Sequence, residues 1–164
     1  MSILATYNGF TGDQRMRAYN WLKREYVAGR RARPVRCQAC GQTAGQIMAH
    51  SEDYSAPYGP HIGAFELCFR CHMVIHCRFS GARTFWRYVE WLEAGWTVAP
   101  AWKGFADVRQ MLWHPDAPPP PGSLQHSVPP GDPGILRRIA AGEFAPSHRP
   151  TPPPPTFRQG TLEF

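Results

Sequence analysis

Apolar residues first recur at helical spacing between Thr11 and Gly29. Met16, Tyr19, Trp21, Leu22 and Tyr26 fall on one face, while Arg15, Arg17, Lys23 and Arg24 lie largely off it. Thr11 or Asp13 can accept from the unpaired N–H groups of a first turn, and Gly29 can stop the helix. A helix is therefore expected over residues 11–30. Pro34 to Cys40 is expected to enter a tight turn at Gly41 as a strand, and Gly45 to His50 to form another strand. Ser55 to Gly63 contains Pro57, Gly59 and Pro60 and reads as a loop. Helices are expected over Leu67–Arg78 and Phe85–Ala94, the second with Trp86, Val89 and Leu92 facing inward and Gly95 as its stop. Trp102, Phe105, Val108 and Leu112 suggest one more short amphipathic helix.

The pattern then changes. Residues 114–164 hold 14 of the 18 prolines, including the runs Pro118–Pro121 and Pro152–Pro155. Proline lacks a backbone donor and disfavours helix and central strand alike, so this zone is expected to be a disordered or extended tail. A short helix near Ile135–Ala141 is the one element it can carry. The expected organisation is an N-terminal helix with a basic lead-in over residues 1–33, a motif-bearing domain with C-terminal helices over 34–113, and the proline-rich tail over 114–164.

Composition adds limits. No apolar run approaches the ~20 residues of a membrane helix, and Met1 to Phe10 does not resemble a signal peptide, so a cytoplasmic protein without a membrane partner is expected. The net charge is +6, and residues 1–113 carry all of it, with 14 Lys or Arg against 8 Asp or Glu. A basic folded part suits an anionic partner, of which nucleic acid is the commonest.

The chain has five cysteines, and four of them form two Cys-x-x-Cys pairs, Cys37/Cys40 and Cys68/Cys71, separated by 27 residues. Two such turns supply the four soft ligands of a tetrahedral zinc site with little backbone strain, so one structural zinc is expected. In a small core the free energy of metal binding becomes folding free energy. Cys77 is left over and reads as a small buried apolar side chain.

Histidines surround the pairs. His50 closes the strand before the loop, and His72 and His76 follow Cys71. Positions i and i+4 share a helix face, so His72 and His76 can clamp one ion, while Cys71 sits ~100° away around the same helix. One helix can thus offer Cys71 to a structural zinc and the histidine pair to a different site. His61, His114, His126 and His148 fall in expected loops.

Three segments taken together resemble the HNH endonucleases, above all their small zinc-knuckle phage and bacterial members. They are Cys37-x-x-Cys40-Gly41, Ala49-His50-Ser51-Glu52-Asp53-Tyr54-Ser55-x-Pro57, and Leu67-Cys68-x-x-Cys71-His72-x-x-x-His76. The resemblance covers about residues 35–80. It implies an α+β fold: a small zinc-stabilised ββα-metal domain with flanking helices. It implies a metal-dependent DNA endonuclease or nickase, with His72 and His76 as ligands of a second divalent ion (Mg2+, Mn2+, Ni2+ or Zn2+) and His50 in the catalytic trio. The alternative is a catalytically degenerate HNH-like zinc module that binds DNA or a protein.

The chain departs from the family pattern twice. Similar proteins carry two adjacent residues where this chain has His50-Ser51, the first a ligand and the second the general base. Either His50 is the ligand and Ser51 stands in the base position, or His50 is the base and Ala49 replaces the ligand. The family's middle asparagine or aspartate falls near Gly63, which has no side chain. His61, Glu52 and Asp53 are nearby side chains that could substitute.

Arg30, Arg31, Arg33 and Arg36 precede the first cysteine pair, and Arg70, Arg78, Arg83 and Arg87 flank the histidine helix, where they could contact phosphates. The last six residues, Gln159-Gly160-Thr161-Leu162-Glu163-Phe164, resemble the bacterial sliding-clamp-binding peptide. That resemblance implies Gln159 at a pocket rim, with Leu162 and Phe164 in an apolar groove.

Overall fold

The computed structural model describes residues 4–96, 98–102 and 131–146. Within them the chain is α+β, with four helices and one two-stranded sheet: α1 (Gly12–Val27), β1 (Ile47–His50), β2 (Phe65–Cys68), α2 (Phe69–Cys77), α3 (Ala82–Glu93) and α4 (Gly134–Ala140). No helix among the described residues is long and apolar enough to cross a membrane.

Thr11 caps α1 in a reciprocal box. Its hydroxyl accepts from the Gln14 N–H at 3.3 Å, and the Gln14 side chain accepts from the Thr11 N–H at 2.8 Å. Such a cap is worth ~1 kcal/mol. The buried face of α1 is narrower than its periodicity suggests. Ala18 and Leu22 are buried, whereas Tyr19 is 57% exposed. Leu22 packs with Ile62, so α1 lies against the loop between the two strands.

β1 and β2 pair antiparallel, with Ile47 opposite Cys68 and His50 opposite Phe65. The helix expected over Leu67–Arg78 begins later, at Phe69, because Phe65–Cys68 is drawn into the sheet. Cys68 is extended and caps α2, so strand passes into helix at a cysteine. The segment from Pro34 to Cys40 is not a strand. Residues 38–40 form a turn instead, closed by Cys37 N–H to Gln42 O at 2.8 Å and Gly41 N–H to Cys37 O at 2.9 Å. Gln38 ties this turn to β2: its N–H donates to Glu66 O at 2.8 Å and its side chain accepts from the Glu66 N–H at 3.0 Å.

The main core surrounds the four cysteines. Leu67, Val74, Ile75, Phe85, Tyr88 and Val89 are buried there. Trp86, expected to face inward from α3, is instead 38% exposed, and Thr84, Phe85 and Tyr88 join Val89 and Leu92 on the buried face.

Within the proline-rich zone, the short helix expected near Ile135–Ala141 is present and is packed onto the core. Residues 131–146 include α4, whose Leu136 and Ile139 are 0% and 1% exposed. The Asp132 N–H donates to Gln38 O at 2.7 Å, Phe144 meets Phe65 edge-on at 4.8 Å, and Arg137 pairs with Glu93 of α3. A short apolar stripe flanked by proline is held here by burial against α3 and the cysteine turn. The expected helix over Trp102–Leu112 lies outside the described residues, apart from Trp102 itself. So do His114, His126, His148 and the peptide Gln159–Phe164.

Candidate metal centres

Cys37 and Cys40 reach inward from the turn, and Cys68 and Cys71 from the junction of β2 and α2. All four are buried, with sulfur atoms within 4.8 Å of one another. Cys40 Sγ and Cys68 Sγ are 3.7 Å apart, far beyond a disulfide bond. A tetrahedral zinc with Zn–S bonds of about 2.3 Å sets its sulfurs about 3.8 Å apart, so the donor set fits one structural zinc. The Tyr88 hydroxyl lies 3.1 Å from Cys71 Sγ, placed to support a thiolate. Among the packed thiols, hydrogen bonds from the neighbours, Cys40 first, hold Cys37 well below its ordinary pKa, while burial pushes Cys71 well above. A divalent cation held by Cys37, Cys40, Cys68 and Cys71 would offset the repulsion among four thiolates.

A second cluster lies on the neighbouring face of α2. His50, His72 and His76 each offer a ring nitrogen within 4.8 Å of the others. His72 Nε2 and His76 Nε2 are 3.1 Å apart, close to the ~3.3 Å edge of a tetrahedral site with nitrogen ligands at about 2.0–2.1 Å. Burial depresses the His72 pKa to about 3 and that of His76 to about 2, and it lowers that of His50. All three rings are therefore neutral near pH 7, the form that binds metal. His50 Nδ1 and His72 Nδ1 are buried without a hydrogen-bond partner. A cavity of about 290 Å3 opens beside the cluster, lined in part by Arg15, Met16, Leu22, Tyr54, Ser51 and His72.

Glu52, which the sequence leaves unplaced, is packed against His50. It is 2% exposed, and His50 Nε2 lies 2.7 Å from its Oε1. Tyr7 donates to the same oxygen at 2.6 Å; Arg78 donates to Oε2 at 2.7 Å, and Asn8 donates to Oε2 as well. Burial favours the protonated carboxyl, but hydrogen bonds from His50 and Tyr7 and the charge of Arg78 outweigh it and hold Glu52 below its ordinary range. Tyr7 and Asn8 belong to a tight turn, Tyr7 to Phe10, with Asn8 and Gly9 at φ 50° and 81°. The Asn-Gly pair was the available sequence signal for that turn.

Ser51 and Gly63, where the sequence departs from the HNH pattern it resembles, are both engaged within the fold. The Ser51 hydroxyl is buried and accepts from the Gly63 N–H at 2.7 Å. Gly63 has φ +65°, and a Cβ there would sit 2.7 Å from Leu22 Cδ2 and 3.0 Å from Ala49 Cβ. His61 does not join the cluster; its Nε2 lies 2.9 Å from Ser55 O. Several of the candidate phosphate-binding arginines are engaged within the fold. Arg78 is buried on Glu52 and Tyr7, Arg31 donates to Ile62 O, and Arg30 pairs with Glu25. Cys77 is half-buried rather than buried.

Comparison with family models, characterised proteins and solved structures finds no match.

Proposed function

We propose that this chain is a metal-dependent DNA endonuclease or nickase of the HNH type, braced by one zinc on Cys37, Cys40, Cys68 and Cys71. The observation that carries the reading is the convergence of His50, His72 and His76 beside that brace. In this reading α2 serves two sites: Cys71 faces the zinc, and His72 and His76, one turn apart, hold a divalent ion from the adjacent face. His50 completes the trio from the end of β1. Such an ion, when bound, supplies charge stabilisation to the scissile phosphate and the leaving oxygen. The burial that keeps the rings neutral keeps their lone pairs available, and the cavity beside His72 gives a ligand access.

The test is supercoiled plasmid incubated with the protein and magnesium, manganese or nickel. Nicking is expected, and His72→Ala and His76→Ala are each expected to abolish it while zinc stays on the cysteines. Intact plasmid with an ion demonstrably on the trio would reject the enzyme.

One observation favours a second reading, a zinc module that binds without cutting. Ser51 stands in the family's base position, yet its hydroxyl is committed to the Gly63 N–H, and a serine hydroxyl is a poor proton acceptor near neutral pH. This reading expects salt-dependent DNA retention without nicking, and capture of the bacterial sliding clamp that is lost when Leu162 and Phe164 are removed.

A further inference from the structure

We infer that Glu52 is a positioning residue: its carboxylate takes the Nε2–H of His50 and leaves Nδ1 as the lone-pair nitrogen that His50 offers to the histidine cluster. This rests on the metal reading of that cluster, and it concerns a residue outside the three histidines.

The proton assignment follows from counting donors and acceptors. An ionised carboxylate accepts only, at about four lone-pair positions. On Glu52 these positions face Tyr7 Oη and His50 Nε2 at Oε1, and Asn8 Nδ2 and Arg78 Nη2 at Oε2. Asn8 and Arg78 can only donate through these atoms. Tyr7 accepts from Arg78 and is therefore free to donate to Glu52. With no proton on the carboxylate, a 2.7 Å contact with His50 Nε2 is a hydrogen bond only if Nε2 carries the proton. A neutral ring protonated at Nε2 has its lone pair on Nδ1, and His50 Nδ1 has no hydrogen-bond partner. The ring is also held from its sides. Its centroid lies 5.2 Å from that of His72 and 5.1 Å from that of His76, both edge-on.

The same donors allow a carboxylate to stay ionised at this buried place. Arg78 follows α2, and Tyr7 and Asn8 belong to the N-terminal turn, so Glu52 joins three separate parts of the chain at the imidazole. A metal-bound histidine held by a carboxylate on its other nitrogen keeps one tautomer and one ring orientation, and loss of such a support weakens metal binding or activity by about 10- to 100-fold.

The experiment is nitrogen-15 NMR of the imidazoles in the full-length protein, together with titration of nickel onto the trio; retained zinc on the cysteines reports an intact fold. Wild-type His50 is expected as a single Nε2–H tautomer. Glu52→Ala removes the acceptor, and Glu52→Gln places an NH2 group among donors. Both are expected to lose the fixed tautomer and to bind nickel about 10- to 100-fold more weakly. Tyr7→Phe removes one donor to Glu52 but leaves the carboxylate on His50, and is expected to keep the tautomer. Unchanged His50 signals and nickel affinity in a folded Glu52→Ala protein would overturn the inference. A wild-type Nδ1–H tautomer would do the same, and it decides the matter even if both Glu52 variants lose their zinc and unfold. A protein that never takes nickel on the trio, yet loses the Nε2–H tautomer in Glu52→Ala, would retire the metal reading and leave the positioning role standing.

Discussion

The Ser51 hydroxyl accepts the backbone N–H of Gly63 across the loop between β1 and β2, at 2.7 Å. These are the two positions at which the sequence departs from the HNH pattern it resembles. Here both serve the loop. Gly63 has a left-handed backbone and lies close against Leu22 and Ala49, so a Cβ there is strained and forces a neighbour to shift, and Ser51 satisfies its buried backbone donor.

Ser51→Ala should leave the Gly63 N–H unsatisfied, at a cost of about 1–3 kcal/mol in urea unfolding. It should leave nickel binding by the histidines unchanged, as measured by titration. A loss of nickel binding without loss of stability would mean that Ser51 belongs to the metal site.

Gly63→Ala should be destabilising as well. The left-handed backbone alone costs a residue with a Cβ about 1–2 kcal/mol, and contact with Leu22 and Ala49 adds to it. Thermal melts compared with Gly29→Ala make a control. Gly29 has φ +69° but open space around it, so the difference between the two variants isolates the packing component.

Cys71→Ser should lose zinc and the cooperative fold together, because the main core is assembled on that cluster. Metal analysis and circular dichroism check this. Cys77→Ser, at a half-buried cysteine outside the cluster, should keep its zinc. Retention of near-ultraviolet structure in zinc-free Cys71→Ser would show that packing alone sustains the core.

Stability should fall on acidification below about pH 6.5. His72 and His76 have folded-state pKa values of about 3 and about 2, below the unfolded value. Between those limits the unfolded chain binds the extra protons, so the contribution of the neutral rings is full above pH 6.5 and is lost as pH falls. Each ring contributes a slope of up to about 1.4 kcal/mol per pH unit. Urea unfolding at pH 7.5 and pH 5.5 in a weak chelator measures it, and His72→Ala with His76→Ala should flatten the dependence. An unchanged dependence in the double variant would place the titration elsewhere.

Leu136→Ala should cost about 2–5 kcal/mol, as for a fully buried leucine in a core. A freely moving tail would lose nothing. Comparison of Leu136→Ala with Arg138→Ala, whose side chain is 49% exposed, in thermal unfolding separates the two cases.

Much of this architecture is local information. Thr11 and Gln14 specify the start of α1 through hydrogen bonds only three residues apart. The spacing of two cysteine pairs is enough to expect one zinc, because short turns present sulfur in few ways. The interval from His72 to His76 is enough to place both rings on one face of α2. Those features depend on backbone geometry that neighbouring residues set. The strand at Phe65–Cys68, the role of Glu52 and the anchoring of α4 do not. Phe65–Cys68 became a strand because β1 was there to pair with it. Glu52 became a partner of His50 because Arg78 and the Tyr7–Asn8 turn, 26 residues later and more than 40 earlier, supply enough donors to keep a carboxylate ionised at 2% exposure. The short apolar stripe of α4 marks a helix in the sequence, but only the complementary surface on α3 decides that it is buried. Local hydrogen bonding and ligand spacing are written in consecutive residues; burial and charge compensation exist only once distant segments meet.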